Sequence, residues 1–234
     1  MSRPTLGNVG SSVGAKIGVA VIDSGVNVPH PHLPSVAGGI AFDLEGRESA
    51  DYIDRLGHGT AAAAAIHEKA PDAQLHAVKV FDRQLATTVR TLVRAIDWAS
   101  ERGLRLVNLS LGTPHAFRAP ELAPAVERAV AAGSIVVSAH AHDGQTWYPG
   151  SMEGVVGVVA DAAQPRDAVS VVERDGRRLV LASPYPRPIP GVPVERNLNG
   201  ISFAVANATG CLAHVLADQP AVRTAEEAVA LLAG

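Results

Sequence analysis

One cysteine stands in the 234 residues, so no disulfide can form within the chain. That thiol, Cys211, lies among Ala208, Gly210, Leu212 and Ala213, a setting that suits a buried structural role. Aromatic residues make up only 4%, no Lys/Arg stripe interleaves with them, and the net charge is −3. A nucleic-acid partner needs the opposite pattern and is not expected. No apolar run approaches the roughly 18 residues of a membrane span, so no membrane partner is expected either. Residues 1–15 carry Arg3 but no apolar stretch of signal-peptide type. No string of alternating Asp/Asn ligands suggests calcium. His30-Pro31-His32 lacks a third and fourth ligand at metal spacing. The expectation is therefore no metal and no cofactor.

What the chain does have is core. Apolar residues reach 47% while charged residues fall to 18%, the balance of a parallel sheet covered on both faces. The length suits one large domain, placed at 16–234 behind an N-terminal extension at 1–15. Short β-branched runs predict buried strands at Lys16–Asp23, Gln74–Val80, Leu106–Ser110, Ile135–Ala139 and Val155–Val159. Between them, Thr87–Arg102 is a predicted helix, with Val89, Leu92, Val93 and Ile96 on one stripe. A second helix is predicted at Ala119–Ala132, with Pro120 in its first turn and Gly133 as its stop. Val169–Glu173 and Arg178–Ala182 flank Asp175-Gly176, a hairpin signal. Five prolines between Pro184 and Pro193 predict an irregular surface loop. The alternation gives an α/β fold class: a doubly wound, mostly parallel sheet in a single compact domain, with its site at strand C-terminal ends.

Three short strings carry the chemistry. In Val21-Ile22-Asp23-Ser24-Gly25, Asp23 ends a buried run and meets a turn. In Gly57-His58-Gly59-Thr60, His58 opens an alanine-rich helix. In Asn199-Gly200-Ile201-Ser202-Phe203-Ala204, Ser202 opens another. A helix start offers unpaired N–H groups and favours negative charge. A nucleophile, a base and an orienting carboxylate are the parts acyl transfer needs.

With these residues in place, the chain resembles the subtilisin-like serine peptidases, or subtilases. Asp54-Arg55-Leu56-Gly57-His58-Gly59-Thr60 is similar to the family's Asp-x-x-Gly-His-Gly-Thr. Ala70-Pro71-Asp72-Ala73-Gln74-Leu75-His76-Ala77-Val78-Lys79-Val80 matches another of its segments. Asn108-Leu109-Ser110-Leu111-Gly112 looks like its substrate-lining strand, and His30-Pro31, Tyr148-Pro149 and Ala182-Ser183-Pro184 fall where family landmarks fall. The order Asp, His, Ser is the subtilisin order. The resemblance implies a serine endopeptidase working through an acyl-enzyme. Asp23, His58 and Ser202 would be the triad, and Ser110, Leu111 and Gly112 would bind a peptide or protein substrate.

The chain departs from the family in four places. The Gly-Asn-x-Gly whose Asn serves the oxyanion is replaced by Ala141-His142-Asp143-Gly144. This puts His142 in the oxyanion role, with His140 as a rival if the register slips. After the His, Ala61-Ala62-Ala63-Ala64 replaces Val-Ala-Gly-type residues. After the Ser, Phe203-Ala204-Val205-Ala206-Asn207 replaces Met-Ala-x-Pro-His; both changes imply altered packing. Only His67-Glu68-Lys69 separates Ile66 from Ala70, too little for the family's calcium loop. The missing calcium loop, with no room for the family's pro-segment before Lys16, implies a trimmed, cytoplasmic processing protease, for instance one removing a leader from a peptide precursor. The competing reading is a pseudo-protease that binds an extended peptide or partner without cutting it. A nucleotide-binding domain finds no support, since no phosphate-cradling Gly loop follows the first strand.

Overall fold

The computed structural model describes residues 16–233, so the expected extension at 1–15 lies outside the described residues. Its strands are β1 (Gly18–Asp23), β2 (Gly38–Phe42), β3 (Glu48–Ser49), β4 (Gln74–Lys79), β5 (Leu106–Leu109) and β6 (Ile135–Ala139). They continue with β7 (Ala141–His142), β8 (Gln145–Thr146), β9 (Val155–Ala160), β10 (Val169–Arg174) and β11 (Arg177–Ala182). The helices are α1 (His58–Lys69), α2 (Val89–Glu101), α3 (Ala119–Ala131), α4 (Ile201–Leu216) and α5 (Ala225–Leu232).

Nine strands form one sheet, in the order β10-β11-β9-β6-β5-β1-β4-β2-β3, while β7 and β8 pair by themselves. All neighbours from β2 to β11 run parallel; β3 and β10 join antiparallel at the two edges. The central strands are apolar at nearly every position because both of their faces are covered. In β1, Val19 and Val21 pack into one core, while Ala20 and Ile22 pack into the other. The first core is closed by α1, α4 and α5, the second by α2 and α3.

The predicted strands and helices are present, with ends that shift for identifiable reasons. Thr88 stays outside α2 because its hydroxyl caps the helix, accepting from the Thr91 N–H. Val80 and Ser110 lie just past their strands, where the chain turns toward the site. The β10–β11 hairpin closes through Asp175 and Gly176, both at positive φ (51° and 73°), the geometry of a type I′ turn. Pro184–Pro193 contains neither helix nor strand. Cys211 is half-buried rather than buried, because it lies on the flank of α4 that meets the Asp167 region.

α1 and α4 run side by side in the same direction. A Cβ built on Gly210 would come within 3.2 Å of the Ile66 Cα. Those two residues lie equally far along their helices from Ser202 and His58. Ala62, Ala65, Ala206 and Ala208, all buried, keep the helices close. The replaced residues behind His58 and Ser202 thus bring two helix N-termini to one place.

Candidate active site

Three adjacent strands, β6, β5 and β1, end at the site, and the N-termini of α1 and α4 meet them there. β1 ends at Asp23, which is fully buried. Its Oδ1 accepts the Ser24 N–H (2.7 Å) and lies 2.7 Å from His58 Nδ1. Its Oδ2 is buried and unpaired among the described residues, so the imidazole is the main answer to this charge. His58 is the first residue of α1, with 15% of its side chain exposed. Burial draws its pKa down. The hydrogen bond and charge of Asp23, with the charge of Asp54 behind, outweigh burial and raise it above the ordinary histidine value.

Asp54, four residues before His58, anchors the start of α1. It is buried and accepts five hydrogen bonds: from the Leu56, Gly57 and Thr60 N–H groups, the Thr60 hydroxyl and the Ser24 hydroxyl. Ser24 Oγ in turn accepts the Gly59 N–H at 2.9 Å. The first turn of α1 is thereby tied to the turn that follows Asp23. Burial alone would raise the Asp54 pKa, but these bonds carry it below the usual carboxylate range. Gly59 must lack a side chain here, since a Cβ would sit 2.2 Å from the Gly25 carbonyl oxygen.

Ser202 is the second residue of α4, whose N-cap is Gly200 with no side-chain cap. Its N–H therefore has no intrahelical acceptor and stands free at the positive end of the helix. Gly200 does not serve a close backbone approach. A Cβ there would meet open space, and glycine is required by its φ of +149°. His58 and Ser202 line one cleft of about 970 Å³. Among the described residues no hydrogen bond joins them, a looseness common before substrate tightens the site.

His142 lines the same cleft and His140 does not. The hairpin β7–β8 turns through Asp143 and Gly144, at φ 50° and 73°. It aims His142 inward against Trp147, with ring centroids 5.6 Å apart. His142 Nε2 lies 3.5 Å from the exposed carboxylate of Asp143. His140 is instead half-buried, with its Nδ1 shielded from solvent, and burial lowers its pKa.

Ser110, Leu111 and Gly112 form one wall of the cleft. Asn108 Nδ2 donates to Ser110 Oγ at 2.6 Å, and Thr113 pairs with Tyr148 through two 2.9 Å backbone bonds. A Cβ on Gly112 would lie 2.6 Å from the Tyr148 carbonyl oxygen, so this wall and the His142 hairpin are packed as one unit. Leu85, Thr87 and Val89 face it from the start of α2.

The Subtilase family pattern matches residues 14–233. The chain belongs to the subtilase family. It is a serine-type endopeptidase by that membership, a hydrolase. Subtilisin DY from Bacillus licheniformis is 31% identical over 231 residues, covering 91% of this chain and 81% of that protein. A solved lanthipeptide protease superposes with a TM-score of 0.69 at 18% identity, covering 92% of this chain and 78% of that one. The nisin leader peptidase NisP from Lactococcus lactis superposes with a TM-score of 0.67 at 19% identity, covering 91% and 80%. At those identities the structural likeness shows the fold, a subtilase fold in a single compact domain.

Sequence reasoning about this subtilase missed two neighbours of His58. One is Asp54, detectable only as a carboxylate at fixed spacing before the histidine. The other is Phe203, visible as a departure from the family but not as a contact.

Proposed function

We propose that Asp23, His58 and Ser202 form the catalytic triad and that the enzyme cuts a peptide precursor. The observation that carries this reading is the 2.7 Å Asp23–His58 contact at the mouth of a cleft that Ser202 also lines. His58 Nε2 takes the Ser202 proton as Oγ attacks the scissile carbonyl, and Asp23 holds the ring and balances the imidazolium. The proton then passes to the leaving amine, and water releases the acyl group by the reverse path. The developing oxyanion is met by the Ser202 N–H and by His142. The substrate lies as an added strand along Ser110-Leu111-Gly112, with main-chain pairing giving affinity and side-chain pockets giving selectivity.

A dedicated processing role, such as leader removal, draws support from the two peptide-processing proteases that share the fold. The test is a peptide library digested with wild type and with Ser202→Ala, the new termini being read by mass spectrometry. Cleavage at one or a few sequences, lost in Ser202→Ala, is the expected result. Broad cleavage would remove the dedicated role but keep the triad. Cleavage surviving in Ser202→Ala would remove the triad, and a folded wild type that binds peptides without cutting them would favour the pseudo-protease.

A further inference from the structure

Phe203 follows the nucleophile in sequence and lines the cleft, yet is only 2% exposed. Its ring centroid lies 5.0 Å from that of His58, with the two planes tilted by 40°. The imidazole is thus held at Nδ1 by Asp23 and packed against a tilted phenyl ring. A ring face carries partial negative charge and attracts a cation centred within about 6 Å. The neutral imidazole that serves as the base gains little from such a face. Once it holds the Ser202 proton it is a cation, in a place that is mostly shielded from water.

We propose that Phe203 is a positioning residue for His58, its ring face fixing the imidazole and stabilising the imidazolium of the transition state. The proposal rests on the triad reading above. No bond forms or breaks at Phe203; the proton moves from Ser202 Oγ to His58 Nε2 and on to the leaving amine. An attraction stronger for the imidazolium than for the neutral ring raises kcat and leaves substrate affinity unchanged. The charged groups acting on His58 are Asp23 from β1 and Asp54 from the loop before α1. α4 brings Ser202 and Phe203, both uncharged, and across the cleft stands His142. Any apolar side chain of similar volume would fill the space; only an electron-rich ring would act on charge.

The experiment replaces Phe203 with phenylalanines of increasing fluorine content, introduced by codon suppression in the full chain. Shape and apolarity persist while the negative face is withdrawn. We expect kcat to fall stepwise, by about threefold to thirtyfold across the series, with KM unchanged. In parallel, the His58 titration followed by NMR in the free protein should move to lower pH, because the protonated ring loses a partner. Phe203→Leu should resemble the fully fluorinated protein in kcat. A series flat in both kcat and titration, in a protein that still cleaves, would make the ring a filler and end the proposal. A titration that shifts in a protein that neither cleaves nor labels would overturn the triad reading, and the positioning role with it.

Discussion

His58 carries opposing influences within one side chain, and its pH behaviour follows from their balance. As a base it must be neutral, and Asp23 and Asp54 together raise its pKa above the ordinary histidine value. The acid limb of kcat/KM should therefore lie above that ordinary value of about 6.5. Asp54→Asn removes one negative charge acting on His58, so the limb should move to lower pH; a pH–rate profile of both proteins checks this. The linkage has the matching sign. A raised pKa contributes stability that is full below the unfolded value and fades as pH rises through the folded one. His142 invites a second comparison at this scale. His142→Ala should lower kcat by about a hundredfold to a thousandfold, the scale seen when a subtilisin loses one side-chain oxyanion donor. KM should change little, His142→Asn should recover much of the rate, and His140→Ala should leave the catalytic rate near wild type. Crippling of His140→Ala alone would place the donor two residues earlier.

At the scale of elements, the site depends on how α1 is pinned and how α4 lies against it. Asp54 pins α1 by satisfying N–H groups that a helix start leaves open. Asp54→Ala strands those donors and should cost about 3 kcal/mol near neutral pH, measured by urea unfolding. Its depressed pKa fixes the sign: the contribution is present above the ordinary carboxylate value and is lost as pH falls through the folded one. The deficit of the variant should therefore shrink in acid. Gly210 governs the second contact. Gly210→Leu forces a side chain against Ile66 and Lys69, and should destabilise by about 1–3 kcal/mol. Because α4 also carries Ser202, kcat should fall further than stability alone explains, as assayed well below the melting point. A variant with full kcat would show that the helix spacing does not set the Ser202–His58 geometry.

Over the whole molecule, what was legible in the sequence was what local pattern encodes. Runs such as Ile17–Ile22 announced strands buried on both faces, and the settings of Asp23, His58 and Ser202 announced a strand end and two helix starts. β2 escaped because Gly38-Gly39 opens it and glycine signals a turn, while the pairing with β4 that makes it a strand is a long-range fact. The β7–β8 hairpin escaped because two residues a side leave no periodicity. α5 escaped although Thr224 and Glu227 form a capping box at its start. Phe203 escaped for a different reason: it meets His58 across space, and no spacing rule links the two. Asp54 stood at a fixed spacing before His58, but that spacing does not reveal the bonds by which it pins α1. The alanines behind His58 implied altered packing, and the parallel run of α1 beside α4 is the packing they serve.

Covalent labelling is the sharpest test of Ser202 as the nucleophile and His58 as its base. Wild type, Ser202→Ala and His58→Ala would be treated with a fluorophosphonate, and the adduct mapped to a residue by mass spectrometry. A single adduct on Ser202 in wild type, none in Ser202→Ala and a greatly slowed reaction in His58→Ala are the expected results. An adduct on another residue, or a folded wild type that takes no label, would contradict these roles.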